Sequence, residues 1–248
     1  MKRIKCLNAL HLKLLMAALM VLDHLHIINN LFSPDVTTVF TIISRCVAPV
    51  FAYLVVEGVV HSRSLKNYCL RLFALAGVVF LGNTILNHIF KTFSEAVSET
   101  KQKYLYINNN VILTLALGTL VIFLIRLCEE KRQDKSKATA GLYFLAAVCF
   151  IFGFLYGEWG SVLLPFMVVI YVFRDRTVYR LIGYAVTETI AILLPFSESL
   201  YFMAFPFILL YNGKRGPNTR FSKYFFYMFY PLHLWVIAII NFVRMTRL

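Results

Sequence analysis

A few polar residues stand out because of where they sit. Asp23, His24 and His26 close an apolar run that begins at Leu10, and Arg45 interrupts a second run from Thr38 to Val60. A charge inside such a run costs about 2.5–3.5 kcal/mol on the insertion scale unless it is paired. Arg45 therefore needs an acidic partner, and Asp23 is the candidate at matching depth. An imidazole beside a carboxylate and a guanidinium is a general-base arrangement, able to take a proton from an amine or hydroxyl nucleophile. Neighbours on a helix point about 100° apart, so Asp23 does not orient His24 within one turn. Asp23 and His26, three apart, share a face. The expectation is that Asp23 holds Arg45 while His24 faces the substrate.

Other polar residues punctuate other apolar runs. They are Asn83, Asn87 and His88, then Asn108-Asn109-Asn110 with Thr114 one turn on, Tyr156-Gly157-Glu158, and Tyr230 with His233. Glu57 stands four residues before His61, a spacing that pairs side chains on a helix, and a basic loop residue is its other candidate partner. Pro49 lies four residues after Arg45. A proline lacks the N–H that would bond the carbonyl four back, so a kink is expected at Arg45, and Pro231 does the same for Tyr227. Cys6, Cys46, Cys69, Cys128 and Cys149 lie in or beside apolar runs without metal-ligand spacing and read as small buried hydrophobes. No nucleophilic serine or cysteine motif, Walker A loop or metal-spaced cluster accompanies them. Two readings remain: acyl or similar group transfer by direct attack, and transport with the same residues as a proton relay.

The elements that must position these residues follow from composition. The chain has 248 residues, 60% hydrophobic and 15% charged, with mean hydropathy +0.72. A soluble domain is about 45–50% apolar and about 25% charged. That difference excludes an ordinary soluble globule and a disordered chain, and leaves an all-α polytopic integral membrane protein forming one domain over residues 1–248. The runs are continuous rather than alternating, which excludes a barrel.

Nine runs are expected to be helices: Leu10–Ile28, Thr38–Val60, Tyr68–Phe90, Asn110–Leu127, Ala140–Tyr156, Ser161–Phe173, Tyr179–Leu194, Leu200–Tyr211 and Tyr224–Val243. The sixth and eighth are short for a span. The net charge of +13 does not indicate nucleic acid, because no basic stripe with interleaved aromatics runs through a soluble stretch. The cations sit in alternate loops, 18 on one side and 5 on the other. By the positive-inside rule this puts the N-terminus in the cytoplasm and the C-terminus outside. Lys2, Arg3 and Lys5 resemble the start of a signal peptide, but no small-residue cleavage site follows, so the first run reads as a retained helix. The 91–109 loop then lies outside and the mixed-charge 128–138 linker inside. The same orientation gathers Asp23, Arg45, Asn83, Asn110 and Glu158 toward the outer leaflet.

Several of these stretches resemble the TraX family. They are Leu14 to His24, Arg45-Cys46-Val47-Ala48-Pro49-Val50-Phe51-Ala52, Val56-Glu57-Gly58, Asn110 to Ala116, Tyr156-Gly157, Tyr211-Asn212-Gly213-Lys214-Arg215-Gly216 and Phe229-Tyr230-Pro231-Leu232-His233-Leu234. They run in order through nearly the whole chain. The resemblance implies a multi-pass protein of the bacterial inner membrane and an acetyltransferase drawing on acetyl-CoA; the founding member acetylates a conjugative pilin. It implies His24 as the catalytic histidine, with Asp23 and Arg45 as its polar partners. Asn110, Tyr156 and His233 become candidates to bind or polarise the acyl carbonyl, with Glu57 beside them. The basic loops, through Arg63, Lys66, Arg71, Lys214 and Arg215, become candidates to hold the CoA phosphates. A protein, lipid or glycan at the membrane is the implied acceptor. A third reading is a non-catalytic membrane partner of a secretion or conjugation apparatus.

Overall fold

The computed structural model describes residues 6–28, 31–93, 105–131, 137–193, 201–217 and 219–247. Lys2, Arg3, Lys5, most of the 91–109 loop and the centre of the 128–138 linker lie outside the described residues.

Ten α-helices are present among the described residues: α1 Ala9–His24, α2 Pro34–Ser44, α3 Val47–Val60, α4 Leu65–Phe93, α5 Val111–Glu130, α6 Lys137–Tyr156, α7 Gly160–Val172, α8 Thr177–Leu193, α9 Phe205–Leu210 and α10 Arg220–Arg247. Short 3₁₀ turns cover Leu25–Ile27 and Tyr201–Ala204. Each expected run is occupied by helix. Six stretches are long and apolar enough to cross a membrane: Ala9–Ile27, Pro34–Val60, Leu65–Thr92, Val111–Glu130, Thr139–Tyr156 and Tyr224–Thr246. The sixth, seventh and eighth runs are the exceptions. The eighth folds as a 3₁₀ turn and a six-residue helix. At 1.5 Å per residue that helix rises about 9 Å, against about 30 Å of hydrocarbon.

The second run breaks where the proline places it. Arg45 and Cys46 form a turn between α2 and α3, and the Arg45 N–H donates to the Ile42 carbonyl at 3.3 Å rather than four residues back. Pro49 has no N–H to offer the Arg45 carbonyl, so the helix loses the bond that would have held this turn.

By compactness the chain divides into two units. One comprises residues 1–47, 77–109 and 203–248; the other, 48–76 and 110–202. In the first unit α1 packs against α2 and α10. Asn8 caps α1 by accepting from the His11 N–H at 2.9 Å. The segment before α1 pairs with the 211–217 loop: the Asn212 N–H donates to the Leu7 carbonyl (2.9 Å) and the Ala9 N–H to the Lys214 carbonyl (2.9 Å). Gly213 (φ 75°) and Gly216 (φ 82°) supply the left-handed backbone this loop requires. Further along, Asn87 clamps the backbone of Ile107 through two hydrogen bonds, one given and one received, both 2.9 Å. Asn83 donates to the Asn109 carbonyl and accepts from the Trp235 indole N–H, both at 3.0 Å.

In the second unit α5 carries a long enclosed stretch, with Thr114 through Thr119 all buried. A helix apolar all round belongs inside its unit rather than against lipid. It packs on α6 and α7, and α7 packs on α8. Small residues permit the close approach: a methyl on Gly153 would sit 2.6 Å from Leu164 Cδ2, and one on Gly160 1.9 Å from the Gly153 carbonyl oxygen. Trp159, between α6 and α7, takes the left-handed conformation at φ 57°.

Candidate active site

The chemistry-bearing residues of the first unit meet where α1 ends against α10. His24 is the last residue of α1, and burial leaves it 8% exposed. His233, two residues after Pro231 in α10, is likewise 8% exposed. The two rings meet edge to face with centroids 5.1 Å apart, and His233 Nε2 lies 3.4 Å from His24 Nδ1. Each ring also bonds the carbonyl one turn back on its own helix, His24 Nδ1 to Met20 and His233 Nδ1 to Phe229, both at 2.8 Å. Phe229 stacks on the His233 ring at 4.9 Å, and Tyr230 meets its edge at 5.7 Å. A wall of this kind holds the His233 plane nearly fixed.

The half-buried carboxylate of Asp23 accepts from the Ser44 hydroxyl at 2.5 Å. Ser44 is the last residue of α2, directly before the break at Arg45, and is 4% exposed. Its hydroxyl also lies within reach of the Phe40 and Thr41 carbonyls. One proton serves one acceptor best, and the charged carboxylate is the strongest of the three. Arg45 is half-buried at the turn itself. His26 is exposed and turns its Nδ1 onto the Asp23 backbone carbonyl, satisfying a carbonyl at the helix end.

Asn110 and its neighbours belong to the second unit. Asn110 caps α5: its side-chain oxygen accepts from the Leu113 N–H (3.3 Å), and its amide donates to the Ala76 carbonyl (3.1 Å). The Asn110 backbone N–H meets the Glu158 carboxylate, and the Thr114 hydroxyl donates to the Glu158 carbonyl at 2.8 Å. An anionic side chain at a helix N-terminus is favourably placed against the helix dipole. One amide N–H of Asn110 remains for another acceptor. Tyr156 is 74% exposed and leans on Phe152. Glu57 forms the expected pair with His61, whose Nδ1 lies 3.9 Å from its carboxylate and 2.8 Å from its backbone oxygen.

Two of the three basic residues around the α3–α4 turn line one open depression of about 570 Å³, formed by Ser62, Arg63, Ser64, Asn67, Leu70 and Arg71. Ser64 caps α4 by accepting from the Asn67 N–H. Arg71 lies over the Tyr68 ring at 5.8 Å. Two guanidinium groups, two hydroxyls and an amide, with no carboxylate among them, fit phosphate oxygens. Lys66 is exposed on the first turn of α4. A second depression, lined by Arg126, Glu129, Glu130, Tyr171 and Arg174 among others, is internally neutralised. Its Arg126–Glu130 pair is 3.2 Å apart, and the Tyr171 hydroxyl donates to Glu129 at 3.3 Å. Lys214 and Arg215 are exposed on the glycine loop of the first unit. Among the described residues no group of three His, Cys, Asp or Glu side chains converges as a metal set would. Cys46, Cys69 and Cys128 are buried thiols, Cys149 is half-buried, and Cys6 is exposed.

The sequence reading passed over Ser44 and Glu188. Glu188, in α8, is 1% exposed, and its Oε1 has no hydrogen-bond partner among the described residues. A signal was available: Arg180, Tyr184 and Glu188 recur every four residues along one face of α8.

Comparison with known proteins agrees along the whole chain. The family model for the TraX protein matches residues 9–241. The chain is 25% identical over 250 residues to the probable fimbrial assembly protein FimC, serogroup H1, of Dichelobacter nodosus, a match covering 92% of this chain and 93% of that one. No solved structure matches it. An ordered set of motifs from α1 to α10, carried on apolar helices, thus meets a family model spanning nearly the full length, and the chain is a membrane protein of the TraX family.

Proposed function

We propose that this chain is a membrane acetyltransferase of the bacterial inner membrane. It moves an acetyl group from acetyl-CoA to an amine or hydroxyl of an acceptor at the membrane, and a fimbrial or pilin-type subunit is the acceptor favoured. The observation that carries this reading is the buried histidine pair, His24 with His233, within a family whose founding member acetylates a pilin. His24 acts as the general base. It takes the proton from the acceptor nitrogen or oxygen as that atom attacks the thioester carbonyl. The new C–N or C–O bond forms, the C–S bond breaks, and His24 returns the proton to the leaving thiolate, so free CoA and acetylated acceptor result. Asp23, held by Ser44, and Arg45 are the proposed polar partners of His24. The basic depression at the α3–α4 turn, with Arg63 and Arg71, and the exposed Lys66, Lys214 and Arg215 are the groups proposed to hold the donor's phosphates. Asn110, Tyr156 and Glu57 remain proposed contacts for the acyl group or acceptor.

Membranes from host cells supplied with radiolabelled acetyl-CoA test the proposal and find the acceptor. Label is expected in a surface-fibre subunit or another membrane component, and is expected to vanish when His24→Ala replaces the wild type at equal abundance. Absence of transfer to any component, with folded protein present, overturns the proposal and leaves the transport reading.

A further inference from the structure

We propose that His233 is a positioning residue: its Nε2 accepts the Nδ1–H of His24 and holds His24 as the tautomer whose bare Nε2 receives the acceptor's proton. This inference rests on His24 serving as the base. The family resemblance made His233 a candidate for the acyl group, and Asp23 and Arg45 the partners of His24; the geometry points to a different division.

The argument is one of hydrogen bookkeeping. A carbonyl oxygen only accepts, so an imidazole nitrogen 2.8 Å from one must carry hydrogen. The His233 Nδ1 faces the Phe229 carbonyl at that distance. A neutral His233 is therefore the Nδ1–H tautomer, and its Nε2 carries a lone pair. That lone pair lies 3.4 Å from His24 Nδ1, which itself faces the Met20 carbonyl at 2.8 Å and so also carries hydrogen. One assignment satisfies every contact: both rings are Nδ1–H, and the His24 hydrogen is shared between Met20 and His233. The atom left without hydrogen is His24 Nε2. This is the logic of a base fixed by an orienting acceptor on its other nitrogen. The Asp23 carboxylate, the neighbour in the chain, accepts from the Ser44 hydroxyl at 2.5 Å.

The surroundings of His233 serve an orienting group well. Phe229 stacks on its plane at an angle of 9°, Tyr230 closes its edge, and only 8% of the residue is exposed. An acceptor whose ring cannot turn fixes the direction of the bond it receives. Pro231, buried two residues earlier, leaves the Tyr227 carbonyl without its helical N–H donor, so the helix can bend where it presents the ring.

The test uses the full-length protein with ¹⁵N-histidine in lipid nanodiscs. Two-bond proton–nitrogen spectra report which ring nitrogen of His24 is protonated, the His24 signals being assigned by their loss in His24→Gln. Acetyl transfer is measured in parallel. In the wild type, His24 is expected as the Nδ1–H tautomer. In His233→Ala the hydrogen keeps only one of its two acceptors, the Met20 carbonyl, so the Nε2–H tautomer should gain a measurable share and kcat should fall about tenfold, the scale of one hydrogen bond to the base, with KM changed less than twofold. His233→Gln, which restores an acceptor, should recover most of the rate. His233→Phe keeps the stack on Phe229 and removes the acceptor, and replaces the alanine variant if that fails to fold. An unchanged His24 tautomer in the variants overturns the inference, as does a loss confined to KM. Activity with His24 found as Nε2–H overturns it too, leaving the acetyltransferase reading intact. Absence of acetyl transfer by a wild type whose His24 is Nδ1–H overturns the acetyltransferase reading alone.

Discussion

His24 and Asp23 are adjacent in the chain but engage different partners, His24 with His233 and Asp23 with Ser44. The split has a local cause. Successive helical residues point about 100° apart, so one neighbour reaches the end of α2 while the other turns toward α10. A consequence concerns Ser44, whose hydroxyl is the donor to a half-buried carboxylate. Ser44→Ala should lower stability by about 1.5–3 kcal/mol, the range for hydrogen bonds to charged groups, and the melting temperature by several degrees. A thermal melt of the purified variant checks this; an unchanged midpoint would show that the carboxylate finds another donor. The sequence revealed His24, Asp23 and Arg45 because an ionisable group inside an apolar run is conspicuous. It did not reveal the partnership of His24 with His233, 209 residues apart, because nothing local to either residue encodes it. Ser44 was overlooked because a hydroxyl in an apolar run is cheap and common.

At the scale of elements, the 211–217 loop shows how glycine is used twice for different reasons. Gly213 has φ 75° and open space where a Cβ would stand, so only conformation demands glycine there. Gly216 has φ 82°, and a Cβ would stand 2.9 Å from the Asn8 side-chain oxygen, the group that caps α1. Gly213→Ala should therefore cost about 1–2 kcal/mol, the left-handed penalty alone. Gly216→Ala should cost that plus part of a lost cap, about another 1 kcal/mol. Paired denaturation of the two variants tests the ranking, and equal losses would contradict the contact with Asn8. The break at Arg45 was legible, because Pro49 removes a specific hydrogen bond. The α5 cap was half-legible: the Asn108-Asn109-Asn110 cluster marked a helix start, but its tie to Glu158 joins residues 48 apart. Asn83 and Asn87 stood out as polar residues within an apolar run, and the structure uses them to clamp Asn109 and Ile107. Depth in the membrane identifies a polar residue as costly; it does not say whether backbone or substrate satisfies it.

For the whole molecule, composition was decisive. An apolar content of 60% left little besides membrane helices, and the nine runs all carry helix. The division into two units was not legible, because Tyr68–Phe90 reads as one run and α4 continues as one helix through residues 76 and 77, which fall in different units. The orientation read from loop cations makes its own prediction. Cys6 is exposed just before α1, and with Cys149 changed to alanine it is the one thiol open to reagent among buried ones. A membrane-impermeant maleimide should leave intact spheroplasts unlabelled and react with Cys6 after permeabilisation. Labelling of intact spheroplasts would reverse the orientation and with it the side from which the donor arrives. The central claim, that His24 is the base of an acetyl transfer, is tested most directly with purified protein in lipid vesicles, acetyl-CoA and an acceptor-bearing membrane fraction. Free CoA thiol and acetylated acceptor should appear together in the wild type. His24→Ala, with its helical spectrum preserved, should be slower by about 10²–10⁴-fold, the usual contribution of a general base. An undiminished rate in that variant, or thiol release without acetylated product in the wild type, would contradict the claim.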